Sequence, residues 1–154
     1  MPTHFTGSRA EMRTLDTFIK LTRCTNSVLA RLAERQTVSD LTYSQFAVLE
    51  ALHHLGSMTQ GEISSKILKS TSNLTTVIDN LERDGLVRRE RDTTDRRVIH
   101  VHLTEAGKAK IEAVLPNHVA ALVQEFSVLS ANEQETLGEL CKKLGKGKKS
   151  MQSR

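Results

Sequence analysis

Between residues 59 and 107 the hydrophobic period changes, and that change limits the folds open to this chain more than any other feature. Thr59-Gln60-Gly61-Glu62 has capping-box spacing. The Thr hydroxyl can accept from the third helical amide while the Glu reaches back to the cap amide. Ile63 and Ile67 follow on one face of a short helix. Leu68 and Lys69 then read as a turn, and Ser70 as the N-cap of a second helix. In that helix Leu74, Val77, Ile78 and Leu81 fall at i, i+3, i+4 and i+7. Gly85 stops it at a position where glycine takes positive φ without strain. From Leu86 the period drops to two. Residues 86–91 and 97–103 read as two strands, with Ile99, Val101 and Leu103 alternating against Val98, His100 and His102. Residues 92–96 form the polar turn between them. Helix, turn, helix and basic hairpin is the order of a winged helix-turn-helix, so the expected fold is mainly α with a small β-hairpin.

The polar face of the second helix carries Ser72, Asn73, Thr75, Thr76, Asp79, Asn80 and Arg83. Short hydroxyl and amide side chains can bond base edges or phosphates and let a helix lie deep in a major groove. The amides and dipole of the helix start favour phosphate. At the hairpin tip, Arg96 and Arg97 suit a narrow minor groove, whose negative potential attracts inserted Arg. Asp95 beside them is misplaced for simple attraction, and is expected to orient an Arg through a charge-assisted bond. The residues expected to meet double-stranded DNA are therefore Lys69, Ser70, Thr71, Ser72, Asn73, Thr75, Thr76, Arg83, Arg88, Asp95, Arg96 and Arg97. Lys69, Arg83 and Arg88 are the phosphate candidates. The plain alternative is a capped, solvated helix face and an ordinary hairpin turn.

Three segments resemble the MarR family of bacterial transcriptional regulators, in the family's order. Leu41-Thr42-Tyr43-Ser44-Gln45-Phe46-Ala47-Val48-Leu49 resembles its second helix. Leu81-Glu82-Arg83-Asp84-Gly85-Leu86-Val87-Arg88-Arg89 resembles the exit of its recognition helix. Asp92 to Arg97, followed by Leu103-Thr104-Glu105-Ala106-Gly107, resembles its wing and next helix start. The family's wing reads Asp-x-Arg-Asp-x-Arg. Here Thr94 stands at the first Arg, while Asp95 and Arg97 keep their places. The resemblance implies a homodimeric DNA-binding repressor. It also implies a small, often phenolic or aromatic, effector bound between dimerisation helices and reading unit, and in some members a reactive first-helix Cys.

The flanking segments are amphipathic. A helix is expected from Leu15 to about Glu34, with Leu15, Phe18, Ile19, Leu29 and Leu32 in its stripe. Thr42, Thr104 and Ser130 open further helices, and Pro116 is expected to kink or interrupt the fifth. With no separate core in 154 residues for them, these helices are expected to pack on a second copy. A two-fold dimer also sets two recognition helices roughly 34 Å apart, one turn of DNA. The chain thus divides into an N-terminal dimerisation region (1–36), a winged helix-turn-helix (37–107), C-terminal dimerisation helices (108–145) and a mobile basic tail (146–154).

Composition agrees without deciding. Formal net charge is +4 and aromatic content 3%, so the partner is acidic and the core aliphatic. No apolar run approaches the roughly 18 residues of a membrane span. Cys24 and Cys141 make no disulfide framework, which points to a cytoplasmic protein with reduced thiols. His100 and His102 offer two metal ligands where a structural zinc site takes four, and read as solvated imidazoles. With no nucleophile triad, phosphate loop or nucleotide fingerprint, neither an enzyme nor a cofactor is expected. Three rival readings remain. One is an architectural protein that coats DNA without sequence choice, another a helical adaptor for protein partners, and the third a redox-sensing regulator acting through Cys24.

Overall fold

A computed structural model of the chain describes residues 4–67 and 71–148, the side chains of Thr71 and Ser72 aside. The order is α1 (Arg9–Glu34), α2 (Tyr43–Leu55), β1 (Met58–Thr59), α3 (Gln60–Ile67), α4 (Thr71–Arg83), β2 (Val87–Arg91), β3 (Ile99–Leu103), α5 (Glu105–Phe126) and α6 (Ala131–Lys146). The strands form one antiparallel sheet in the order β1-β3-β2, with Met58 opposite Val101 and Arg89 opposite Val101 on its other side. This is the expected mainly helical winged helix-turn-helix, with β1 as an added third strand. Leu68 and Lys69, expected as the turn, Ser70, expected as the N-cap of the second helix, and residues 149–154 lie outside the described residues.

Local hydrogen bonding starts the helices. Thr42 and Gln45 bond reciprocally at the head of α2, Thr59 and Glu62 at α3, and Ser130 and Glu133 at α6. Ser8 and Glu11 do the same for α1, which therefore begins six residues before the expected Leu15. Gly56 and Gly85 take φ of 80° and 74° where α2 and α4 end. The hairpin is shorter than expected: β3 starts at Ile99, and the turn closes through Asp92 N to Val98 O and Val98 N to Asp95 O, both 3.0 Å. Pro116 does not interrupt α5, which is continuous across it.

One core joins Phe46, Val48, Leu49 and Leu52 of α2 to Ile63 of α3, Leu74, Ile78 and Leu81 of α4, Val87 and Val101 of the sheet, and Ile111 and Val114 of α5. At the junction of wing and α5, Thr104 Oγ1 donates to Gly85 O at 2.7 Å and caps Gly107 N at 3.0 Å. Gly107 is required there by space: a Cβ would lie 2.0 Å from the Leu86 carbonyl oxygen. Outside this core most of α1 and α6 and part of α5 stay uncovered. Leu32 is the one buried residue of α1, and α6 has none among the described residues. Phe18 is 63% exposed, Val123 64% and Leu140 59%. Arg31 and Arg35 tie α1 to α5 by gripping the almost buried Glu125 carboxylate at 2.6 and 2.9 Å.

Candidate nucleic-acid interface

Helix α4 sorts its residues by size and polarity. Leu74, Ile78 and Leu81 are fully buried, whereas Asn73, Thr75, Thr76 and Asp79 are exposed. Its surface is therefore built of short polar groups along one side. Arg83 stands exposed at the far end with its Nε 3.7 Å from Asp84. Of the other expected contacts, Lys69 and Ser70 lie outside the described residues, as do the side chains of Thr71 and Ser72.

The hairpin turn is organised by two aspartates. Asp92 Oδ1 accepts from Thr94 N (2.8 Å), Thr94 Oγ1 (2.6 Å) and Asp95 N (3.1 Å), while Oδ2 meets His100 Nε2 at 2.9 Å. These donors, the Thr94 hydroxyl foremost, hold its carboxyl well below the usual carboxylate range. Thr94, at the family's arginine position, thus points its hydroxyl back into the turn. Asp95 accepts from Arg97 N (3.0 Å) and Nε (3.1 Å) at Oδ1, and from Arg97 Nη2 (3.2 Å) at Oδ2. That pairing with the Arg97 guanidinium lowers the Asp95 pKa too. Arg97 itself is 91% exposed along its side chain. It projects into solvent with its direction fixed by a two-point contact. Arg96 is exposed, and its carbonyl accepts from Arg91 Nη1 at 2.9 Å.

Register puts Arg88 opposite His102 and Glu90 opposite His100 on one face of the hairpin. Arg88 Nη1 bonds Glu90 Oε2 at 2.8 Å, and His102 Nε2 stands 3.4 Å from the same oxygen. The other nitrogen of His102 bonds Ser57 Oγ at 2.6 Å. His100 and His102 are thus half-buried and partnered, which corrects their reading as solvated imidazoles. Among the described residues no group of three or more His, Cys, Asp or Glu is placed to hold a metal.

Two residues carry structure that charge alone did not announce. Arg89, in a basic strand of the wing, is turned inward, with its side chain 18% exposed. The signal was present in the strand phase: Val87 is buried, so Arg89, two residues on, shares its face. His118 is 7% exposed at the joint between α5 and the reading unit. Its Nδ1 bonds Thr37 Oγ1 at 3.0 Å, and its ring lies 4.6 Å from that of Phe46 and 6.2 Å from Tyr43. Burial pushes its pKa below the ordinary value, with Glu50 opposing.

Comparison with known proteins agrees with this architecture. The MarR family model matches residues 41–99. An uncharacterized HTH-type transcriptional regulator of Bacillus subtilis, YkoM, is 40% identical over 102 residues, 66% of this chain and 66% of YkoM. The chain therefore spans just under two thirds of that relative. The HTH-type transcriptional regulator MhqR of Bacillus subtilis is 35% identical over 133 residues, 86% of this chain and 92% of MhqR. A solved structure of Bordetella bronchiseptica BpsR, whose DNA binding is regulated by 6-hydroxynicotinic acid, matches with a TM-score of 0.76 and 26% identity over 84% of this chain and 98% of that one. With helix-turn-helix and wing in place, the chain belongs to the MarR family of DNA-binding transcriptional regulators.

Proposed function

We propose that this chain is a sequence-specific repressor that binds a pseudopalindromic operator as a homodimer. One observation carries the reading. The short polar face of α4 is joined to a hairpin whose tip projects Arg97, exposed yet aimed by Asp95. In this reading Ser70, Thr71, Ser72, Asn73, Thr75 and Thr76 enter the major groove, Arg96 and Arg97 reach the minor groove, and Lys69, Arg83 and Arg88 meet phosphates. The regions 1–36 and 108–145 pair two copies, and the apolar residues left uncovered on α1, α5 and α6 support that role. Occupancy of a promoter by the dimer would block transcription.

Release by a small ligand is part of the proposal, since BpsR is regulated in that way. A ligand seated between the dimerisation helices and the reading unit, where Tyr43 and His118 meet, would favour one spacing of the recognition helices over another. A second reading, redox release through Cys24, has one observation behind it: exposed Cys24 and Cys141 line the same cleft between α1 and α6. Hydroperoxide should then release DNA from the wild type and not from Cys24→Ser.

Selection of bound sequences from a random duplex pool tests the main reading. The expected product is an inverted repeat with half-sites about one helical turn apart. Binding with a steep salt dependence and no enriched sequence would point to an architectural protein. No binding even at low salt would leave the adaptor reading.

A further inference from the structure

We propose that Arg89 is a positioning residue for DNA reading: its guanidinium fixes the angle between recognition helix and wing without itself touching DNA. The inference rests on the DNA-binding reading above and extends it.

An arginine in a basic hairpin is ordinarily a phosphate ligand, but this one has its donors engaged inside the protein. Nε bonds Gln60 Oε1 of α3 at 3.0 Å. Nη1 meets Glu82 Oε1 at 3.2 Å, while Nη2 meets Asp79 Oδ1 at 2.6 Å and the Thr75 carbonyl at 3.4 Å. The Arg89 backbone amide donates to the other Glu82 oxygen at 2.8 Å. Glu82 therefore grips β2 by main chain and side chain together. Three elements, α3, α4 and β2, converge on one planar group.

The α4 partners fall at i, i+4 and i+7, one stripe of the helix roughly 10 Å long. A roll or slide of α4 against β2 by a single residue would break all three contacts. The stripe includes Thr75 and Asp79, which flank the expected base contact Thr76 on the exposed side. From Arg89 the strand runs straight to the turn that holds Arg97. A tilt of roughly 10° at the clamp, carried along roughly 15 Å of hairpin, moves the tip by about 2.5 Å. That is enough to take a guanidinium out of hydrogen-bond reach in a groove. The clamp also offsets two carboxylates, Asp79 and Glu82, that would otherwise face a polyanion unpaired. Lysine would keep the charge and lose the fork, so Arg89→Lys separates geometry from electrostatics.

The test measures wild type, Arg89→Lys and Asp79→Asn, each with and without Arg97→Ala, on the inverted-repeat duplex recovered by selection and on an unrelated duplex. Thermal melting checks the fold. Arg89→Lys should bind the selected duplex about tenfold more weakly, keep its affinity for unrelated DNA within about twofold, and reduce the loss caused by Arg97→Ala by about tenfold, as expected for residues coupled through shared structure. Asp79→Asn, at a 58% exposed side chain, should show the same coupling in smaller measure, and it carries the test if Arg89→Lys fails to fold. A purely structural role would lower the melting temperature and leave the Arg97→Ala factor unchanged. That constancy, or equal losses on both duplexes, overturns the proposal. A wild type that does not distinguish the two duplexes overturns the DNA-reading claim beneath it.

Discussion

Removing an acid from a surface that binds DNA should strengthen binding, yet Asp95→Ala is expected to weaken binding to the operator. Arg97 is 91% exposed along its side chain, and its guanidinium pairs with Asp95 through contacts of 3.1 and 3.2 Å. Freed of that partner, the Arg side chain recovers up to about 1.5–2 kcal/mol of rotamer entropy, a factor of roughly 10 to 30 per wing when it is ordered again in the groove. The gain from one less carboxylate is smaller. Across roughly 10 Å of solvent at physiological salt, screening cuts its repulsion of a phosphate to a factor of about two or less. On the operator the entropic loss wins. On an unrelated duplex, where the wing is not seated, only the charge change acts, and affinity should rise slightly. Opposite signs on the two DNAs are the signature. Fluorescence anisotropy with labelled selected and scrambled duplexes over a salt series measures both. Arg97→Ala is the companion: it should weaken both and reduce the salt slope by about 0.9 per wing that contacts a phosphate. Melting temperature should barely move for either variant, because an exposed ion pair contributes little to folding. Tighter or unchanged operator binding by Asp95→Ala would refute the idea that Asp95 aims the arginine.

Three further outcomes follow from other parts of the molecule. Thr94→Arg restores the arginine that the family carries in the wing, and should steepen the salt dependence by about 0.9 per wing while raising affinity for any duplex; an unchanged slope would mean that the position does not reach phosphate. His118 has a folded pKa below its ordinary 6.5 because burial disfavours the charged ring, so the unfolded chain takes up the proton first and its contribution to stability is complete above about pH 6.5 and lost as pH falls through the folded value. His118→Gln should flatten that segment of the melting-temperature profile, and an identical profile would remove His118 as its cause. Leu140→Glu places charge on a helix with no buried residue among those described; in the proposed symmetric dimer it would remove two leucines that the pairing buries, at a cost of about 3–6 kcal/mol, so light scattering should move toward the 17.2 kDa of one chain with the reading unit still folded.

What the sequence disclosed was chiefly what neighbours in the chain decide. Capping boxes at Thr42, Thr59 and Ser130 are local bonds between residues three apart, and they stand where their spacing puts them. Ser8 and Glu11 have the same spacing, but they precede the apolar stripe that marks α1 from Leu15, so period alone does not reach them. Pro116 shows the limit of a local rule. Val114, His118 and Ala121 are buried on either side of it, so packing on the reading unit carries the helix through a residue that lacks a donor. Arg88 and Arg89 look alike as charges and differ only in strand phase. Phase gives the direction of Arg89, but not that Gln60, 29 residues earlier, would meet it. His118 was legible in part: Ile111, Val114, His118 and Ala121 form one helical face, and a titratable residue in such a face is buried by its neighbours. Its partner Thr37, 81 residues away, belongs to the tertiary fold alone.

The distribution of acids bears on which kind of DNA-binding protein this is. Asp79, Glu82, Glu90, Asp92 and Asp95 stand in or beside the surface expected to face a polyanion, in a chain whose net charge is +4. Each reduces the attraction for phosphate, and each is engaged. Asp79 and Glu82 hold Arg89, Glu90 holds Arg88, Asp92 shapes the turn and Asp95 holds Arg97. For a protein that only coats DNA these carboxylates would be a plain loss, since its affinity comes from counterion release and rises with every unpaired cation. For a protein that must present side chains to particular base edges and to a groove of particular width, fixed geometry is worth more than charge, because phosphate contacts position and base contacts specify. Five acids each tied to shaping the reading surface therefore favour the sequence reader over the architectural rival, and they explain how a modest net charge can serve a DNA-binding surface.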